Sequence, residues 1–276
     1  MVNRLRGWRA LALALATTVA LSAAAISPAL AVTDGTLDGN GHPFVGLMVA
    51  QDENGIPLWR CSGTLMSADV FMTAGHCTEA PAAHVEIWFD AGPIPLAEGY
   101  PAAGNDPCKG IDGYPCEGDI GGTPYTHPQY DPNAFYLHDL GVVELQGRGR
   151  GGPYGQLPSL DELDGLPVGF MFTAVGYGLQ KSFPVAASHK NEATRVRMYA
   201  NPTLLQYVGD FALLLSNNAN TGGTCFGDSG GPNFIGDSNV VGAVTSFGRN
   251  RTCAGSGGVY RVDTADDLNW LATFGL

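Results

Sequence analysis

Residues 225–232 read Cys225-Phe226-Gly227-Asp228-Ser229-Gly230-Gly231-Pro232, and the rest of the chain is best read outward from them. Glycines on both sides of a serine let the backbone bend sharply and leave N–H groups free to face a developing oxyanion. The stretch also satisfies the G-x-S-x-G pattern of a nucleophile elbow, in which an acid and then a histidine follow the serine. No histidine follows Ser229; the last is His189, so that order and an esterase built on it are excluded.

A general base must therefore lie upstream, and Thr73-Ala74-Gly75-His76-Cys77 supplies it, with the cysteine able to tether the histidine loop. A third group has to fix the imidazole tautomer and stabilise the imidazolium. Asp139 heads Asp139-Leu140-Gly141-Val142-Val143-Glu144-Leu145, and an acid opening a buried strand is costly unless partnered. Asp131 is the competing acid, although its Tyr130-Asp131-Pro132 setting reads as a turn.

The 276 residues carry 14% charge, against about 25% in typical soluble domains. With 45% hydrophobic residues the chain is too apolar for disorder. Its 39 Gly and 18 Pro predict short strands and many turns. A net charge of −12 argues against a nucleic-acid partner, which needs a basic footprint.

Residues 1–31 read as a signal peptide: Arg4, Arg6 and Arg9 in front, an apolar stretch from Ala10 to Ile26, and Ala29-Leu30-Ala31 as the cleavage site. The rival readings are a membrane anchor and an earlier cut after Ala25. Removal of 1–31 takes away three arginines and no acid, so the exported chain is more acidic still. The remainder is expected to be secreted, extracellular, clear of the membrane and monomeric. In an oxidising compartment Cys61, Cys77, Cys108, Cys116, Cys225 and Cys253 read as disulfides, with 15 pairings open. Zinc is the alternative, without a C-x-x-C pair to support it.

Strand-length apolar runs appear at 44–50, 70–74, 85–89 and 140–145, and again at 169–175, 194–199, 212–215, 240–247 and 258–262. Residues 91–133 form an insertion rich in Gly, Pro, Asp and Tyr, and the Gly-Arg stretch 147–153 divides the chain near residue 150 into two β units, 32–150 and 151–276. Thr264 caps a final helix with early acids.

Thr-Ala-Gly-His-Cys, Asp-Leu-Gly-Val and Gly-Asp-Ser-Gly-Gly-Pro, in that order, resemble the chymotrypsin/trypsin-type (S1 family) serine endopeptidases, secreted bacterial members above all. The resemblance covers nearly all of residues 32–276. It implies an all-β chain of two six-stranded antiparallel β-barrels with a C-terminal helix, the catalytic groups lying between the barrels. It implies Ser229 as nucleophile, His76 as base and then acid, and Asp139 as orienting carboxylate. The N–H groups of Gly227 and Ser229 would form the oxyanion hole, and Ser246 would bond to the buried aspartate. The implied disulfides are Cys61 with Cys77, Cys225 with Cys253, and by remainder Cys108 with Cys116. The interval from His76 to Asp139 is longer than usual in the family, and the insertion accounts for it.

Two further expectations follow from the resemblance. Family members pair a new α-ammonium with the Asp before the catalytic Ser; here Val32, next after the signal site, would pair with Asp228, so that signal peptidase itself activates the enzyme. At the pocket that holds the substrate side chain, Gly223 stands where trypsins carry an acid. Gly248 and Gly258 stand at the walls and Phe226 at the rim, implying an apolar or aromatic preference at P1. Protein or peptide substrates are expected and no cofactor or catalytic metal; calcium at Asp106, Asp112, Glu117 or Asp119 is the alternative to solvated turn acids. The competing function is a catalytically inactive homologue serving as a binding or adhesion module.

Overall fold

The computed structural model describes residues 32–94, 117–147, 149–180 and 194–276. The proposed signal peptide, Cys108, Cys116, Asp106, Asp112 and much of the insertion lie outside the described residues. Six strands close into a barrel: β2 (Val45–Gln51), β3 (Pro57–Leu65), β4 (Val70–Thr73), β5 (His84–Trp88), β6 (Ile120–Thr126) and β7 (Gly141–Leu145), in the order β2-β3-β4-β7-β6-β5. All seven residues of β2 are buried, so its sequence shows no polar alternation. The pleat still works: Met48 and Ala50 face the main core, whereas Leu47 and Val49 pack with Trp88, Ile94 and Tyr177 on the other side.

The second sheet has eight strands: β1 (Thr36–Leu37), β8 (Phe172–Gly176), β9 (Met198–Ala200), β10 (Leu204–Val208), β11 (Ala212–Asn217), β12 (Pro232–Ile235), β13 (Val241–Gly248) and β14 (Gly255–Arg261). Its order is β1-β9-β8-β12-β13-β14-β11-β10, a barrel-like sheet whose end strands β1 and β10 extend it beyond six. The final helix α2 (Ala265–Ala272) starts at Thr264, whose hydroxyl accepts the Asp267 N–H, with Asp266 and Asp267 in the first turn. Leu271 joins the main core, and Phe274 beyond the helix meets Tyr125 of β6, so the end of the chain packs back onto the first barrel.

A buried ion pair ties the barrels together. Arg197, 1% exposed, donates to Asp38 Oδ2 (2.8 Å) and to the carbonyls of Gly39 (2.7 Å), Phe89 (3.0 Å) and Val45 (3.2 Å). Burial opposes the Asp38 charge, but His42 and Arg197 outweigh it and hold the carboxyl below its ordinary range. Disulfides join Cys61 to Cys77 and Cys225 to Cys253.

Candidate active site

The chain leaves β4 at Thr73 and makes one helical turn, α1 (Gly75–Thr78), which carries His76. Two restraints hold the turn: the Thr78 hydroxyl donates to Gly75 O (3.0 Å), and Cys77 is linked to Cys61 of β3. Asp139, fully buried at the head of β7, receives the His76 backbone N–H at Oδ1 (2.9 Å). The His76 Nδ1 lies 3.0 Å from Oδ2 and 3.1 Å from Oδ1. From the second sheet, the Ser246 hydroxyl on β13 donates to Oδ2 at 2.5 Å. Asp131, the competing acid, instead caps a short turn, accepting the Asn133 N–H (2.8 Å). Burial alone would lower the His76 pKa; the charge and hydrogen bond of Asp139, with Glu79 behind them, outweigh it and hold it above the ordinary histidine value.

Ser229 lies in a tight loop between Gly227 (φ 96°) and Gly230 (φ 74°). The left-handed backbone at Gly227 favours glycine, and a Cβ there would also come within 2.9 Å of Arg60 Nε. Among the described residues neither the Gly227 nor the Ser229 N–H donates within the protein, whereas their neighbours do: Asp228 N–H to Cys225 O (3.0 Å), and Gly230 N–H to Thr245 O (2.7 Å). Ser229 and His76 line the same cleft, but the serine hydroxyl makes no hydrogen bond to His76. Contacts of this kind commonly tighten only when substrate is bound.

Asp228 is fully buried and accepts the N–H groups of Gly178 (2.7 Å) and Cys225 (2.8 Å). Burial pushes its carboxyl up to about 7, against the pull of those two bonds and of Arg60. Val32 is buried with Val196, Met198 and Ala200, and Thr33 bridges to Gly223. No hydrogen bond or ion pair links Val32 to Asp228 in the uncut chain, where the Val32 nitrogen is a neutral amide.

Two cavities meet at His76, Phe226 and Ser229. One, about 320 Å³, is lined by Thr224, Phe226, Thr245, Phe247, Gly248 and the Cys225–Cys253 disulfide. The other, about 430 Å³, is bounded by Trp59, Arg60, Glu79 and Gly227. Phe226 and Gly248 thus reach the first cavity, but Gly223 and Gly258 do not line it. A Cβ at Gly223 would collide with Asn217, and one at Gly258 with the Phe247 ring. Thr224, Phe247, Arg60 and Glu79 were not foreseen from sequence; Thr224 and Phe247 adjoin motif residues, which is the signal that could have found them. Of the insertion acids, Asp119 accepts the Phe89 N–H (2.9 Å) and lies 3.5 Å from Arg150.

The sequence model of the Trypsin family matches residues 38–270. No curated protein sequence matches the chain significantly. Among solved structures, HL collagenase is 19% identical, with 89% of this chain and 99% of that one covered and a TM-score of 0.66. Human heparin binding protein is 18% identical, with 88% and 96% covered and a TM-score of 0.61. At these identities the likeness speaks for the fold, a trypsin-like one. With most of its length matched by the family and its β-barrels and C-terminal helix in place, the chain belongs to the trypsin family of chymotrypsin-like serine proteases.

Proposed function

We propose that the protein is a secreted serine endopeptidase that cleaves proteins or peptides through an acyl-enzyme on Ser229. One observation carries the reading: the buried Asp139 grips His76 through both its backbone N–H and Nδ1, across a cleft from a serine flanked by uncommitted N–H donors. The Asp139 bond keeps the neutral imidazole protonated at Nδ1, so Nε2 accepts the Ser229 proton as Oγ attacks the scissile carbonyl. The carbonyl oxygen becomes an oxyanion facing the Gly227 and Ser229 N–H groups; one such donor typically contributes about 2.7–4 kcal/mol of transition-state stabilisation. His76 then returns the proton to the leaving amine. Water repeats the sequence on the ester and frees Ser229. The chemistry needs no cofactor.

In this reading residues 1–31 are the export signal, 32–150 and 151–276 contribute one barrel each, and the 320 Å³ cavity takes the P1 side chain. Among the described residues no ionisable side chain other than His76 lines that cavity, while two phenylalanines do, which supports an apolar or aromatic P1. A neighbour's name, heparin binding protein, suggests a non-catalytic binding role, but a chain of net charge −12 is repelled by a polyanion. Peptides differing only at P1 test the proposal: cleavage after Phe, Tyr or Leu, lost in Ser229→Ala, is expected. Preference for Arg or Lys would overturn the pocket assignment, and cleavage surviving Ser229→Ala would overturn the mechanism.

A further inference from the structure

Among the described residues, two groups each bring three metal-ligating atoms within 4.8 Å of one another. In the first, Cys61 and Cys77 are already joined in a disulfide beside His76, which disables it as a metal site. The second is His127, His138 and Asp267, drawn from the end of β6, the residue before Asp139 and the first turn of α2. His127 is 3% exposed and Asp267 fully buried. His138, with φ 51°, is partly exposed, yet its Nδ1 is buried and has no hydrogen-bond partner. Trp270 packs edge-on against His127 and Phe211 against His138, walling the group with aromatic rings.

The carboxylate is already oriented. Oδ2 of Asp267 accepts the Tyr260 (2.8 Å) and Thr264 (2.5 Å) hydroxyls, and Oδ1, 3.1 Å from the same Tyr260 hydroxyl, faces His127 Nε2 at 3.9 Å. Hydroxyls that fix a ligand from behind are a common accompaniment of metal sites. Around a tetrahedral zinc ion donors sit roughly 3.3 Å apart, given bonds near 2 Å, so the three atoms need to close by roughly 1 Å. The two imidazoles are parallel within 8° at 5.1 Å, so one must turn for their lone pairs to converge, and the partly exposed His138 is the one free to do so. The long Gln129 N–H bond to His127 Nδ1 (3.3 Å) gives way to the other tautomer as Nε2 takes the ion. Two imidazoles and one carboxylate suit zinc and its neighbours rather than magnesium or calcium.

We propose that His127, His138 and Asp267 form a binding site for a divalent transition-metal ion of the zinc class, and that its occupancy slows turnover at Ser229. The coupling runs through one peptide bond: drawing His138 roughly 1 Å toward the ion pulls on the backbone that carries Asp139, the group that orients His76. This second part rests on the hydrolytic reading of Ser229; the first part does not.

The test titrates Co²⁺ into the protein cut before Val32 and follows its visible absorption, with Zn²⁺ as competitor. Wild type, Ser229→Ala and His76→Ala are expected to bind one Co²⁺ each. His138→Asn and Asp267→Asn, each shown by cooperative thermal unfolding to be folded, are expected to lose the band. Zn²⁺ is expected to slow peptide hydrolysis by wild type and to leave that of His138→Asn unaffected. A band that survives both substitutions, or that is lost in His76→Ala, overturns the site. Equal Zn²⁺ inhibition of wild type and His138→Asn overturns the coupling. Co²⁺ binding without any hydrolysis by wild type leaves the site standing and removes both the coupling and the hydrolytic reading; hydrolysis without saturable Co²⁺ removes the site and the coupling and leaves the hydrolytic reading standing.

Discussion

The Ser246 hydroxyl reaches from the second sheet to Asp139 Oδ2 in the first barrel, at 2.5 Å, while His76 takes the remaining approach to the same carboxylate. The orientation of the imidazole is thereby tied to the docking of the two barrels. Ser246→Ala is expected to lower kcat about tenfold, the lower end of what a hydrogen bond to a buried charge contributes, about 1.5–3 kcal/mol. Because the less solvated Asp139 would attract a proton on His76 more strongly, the acid limb of the pH–rate profile should move upward in the same variant. An unchanged limb would mean that Ser246 does not act through His76.

In the wild type, hydrolysis is expected to rise with pH through a pKa above the ordinary histidine value of about 6.5, since Asp139 and Glu79 favour the charged ring and only the neutral ring accepts a proton. The sign for stability is opposite. A raised histidine pKa contributes stability below the unfolded value, and that contribution is lost as pH climbs through the folded one. Initial rates and thermal unfolding measured over the same pH series separate the two.

Cutting before Val32 is expected to stabilise the protein near neutral pH. In the uncut chain Asp228 titrates at about 7 when folded against 3.8 as a free side chain, so its burial lowers stability progressively as pH rises through that window. A Val32 ammonium beside it would remove this penalty through about pH 8, the ordinary α-ammonium value, and somewhat above it, because the pair with Asp228 holds the amine's proton more tightly. The Tm difference between cut and uncut chains should therefore grow between about pH 4 and 7 and vanish in acid. N-terminal sequencing of the active form should begin at Val32.

Arg197→Ala is expected to cost about 3–5 kcal/mol, because it strands the Asp38 carboxylate in a site where both side chains are 1% exposed. Arg197→Lys should recover little, since one ammonium cannot serve Asp38 and the carbonyls of Gly39, Val45 and Phe89 together. Asp38, whose pKa is depressed, contributes above about pH 4 and loses its contribution as pH falls through its folded value, so the deficit should shrink in acid. Denaturant unfolding at two pH values checks both statements.

What the sequence disclosed was local. The glycines around Ser229, the tethered His76 and the acid opening an apolar strand are short-range patterns, and the structure places Asp139, not Asp131, against His76. The strand runs and the Thr264 cap likewise depend on neighbouring residues and were legible. The Arg197–Asp38 pair spans 159 positions and looks in sequence like one arginine in a strand and one aspartate in a turn. Gly223 and Gly258 were assigned to the pocket by position, but a glycine's surroundings depend on which side chain folds over it, and here Asn217 and Phe247 do so. Long-range packing decides such positions, and no periodicity reports it.

The central claim is that Ser229 is a nucleophile activated by His76. The most direct measurement is labelling of the purified protein with a fluorophosphonate, followed by mass spectrometry of the proteolytic peptides. One adduct per chain, on Ser229 and abolished by His76→Ala, is the predicted result. No adduct on the wild-type protein when it is cut at Val32 and folded, or an adduct formed as fast in His76→Ala, would contradict it.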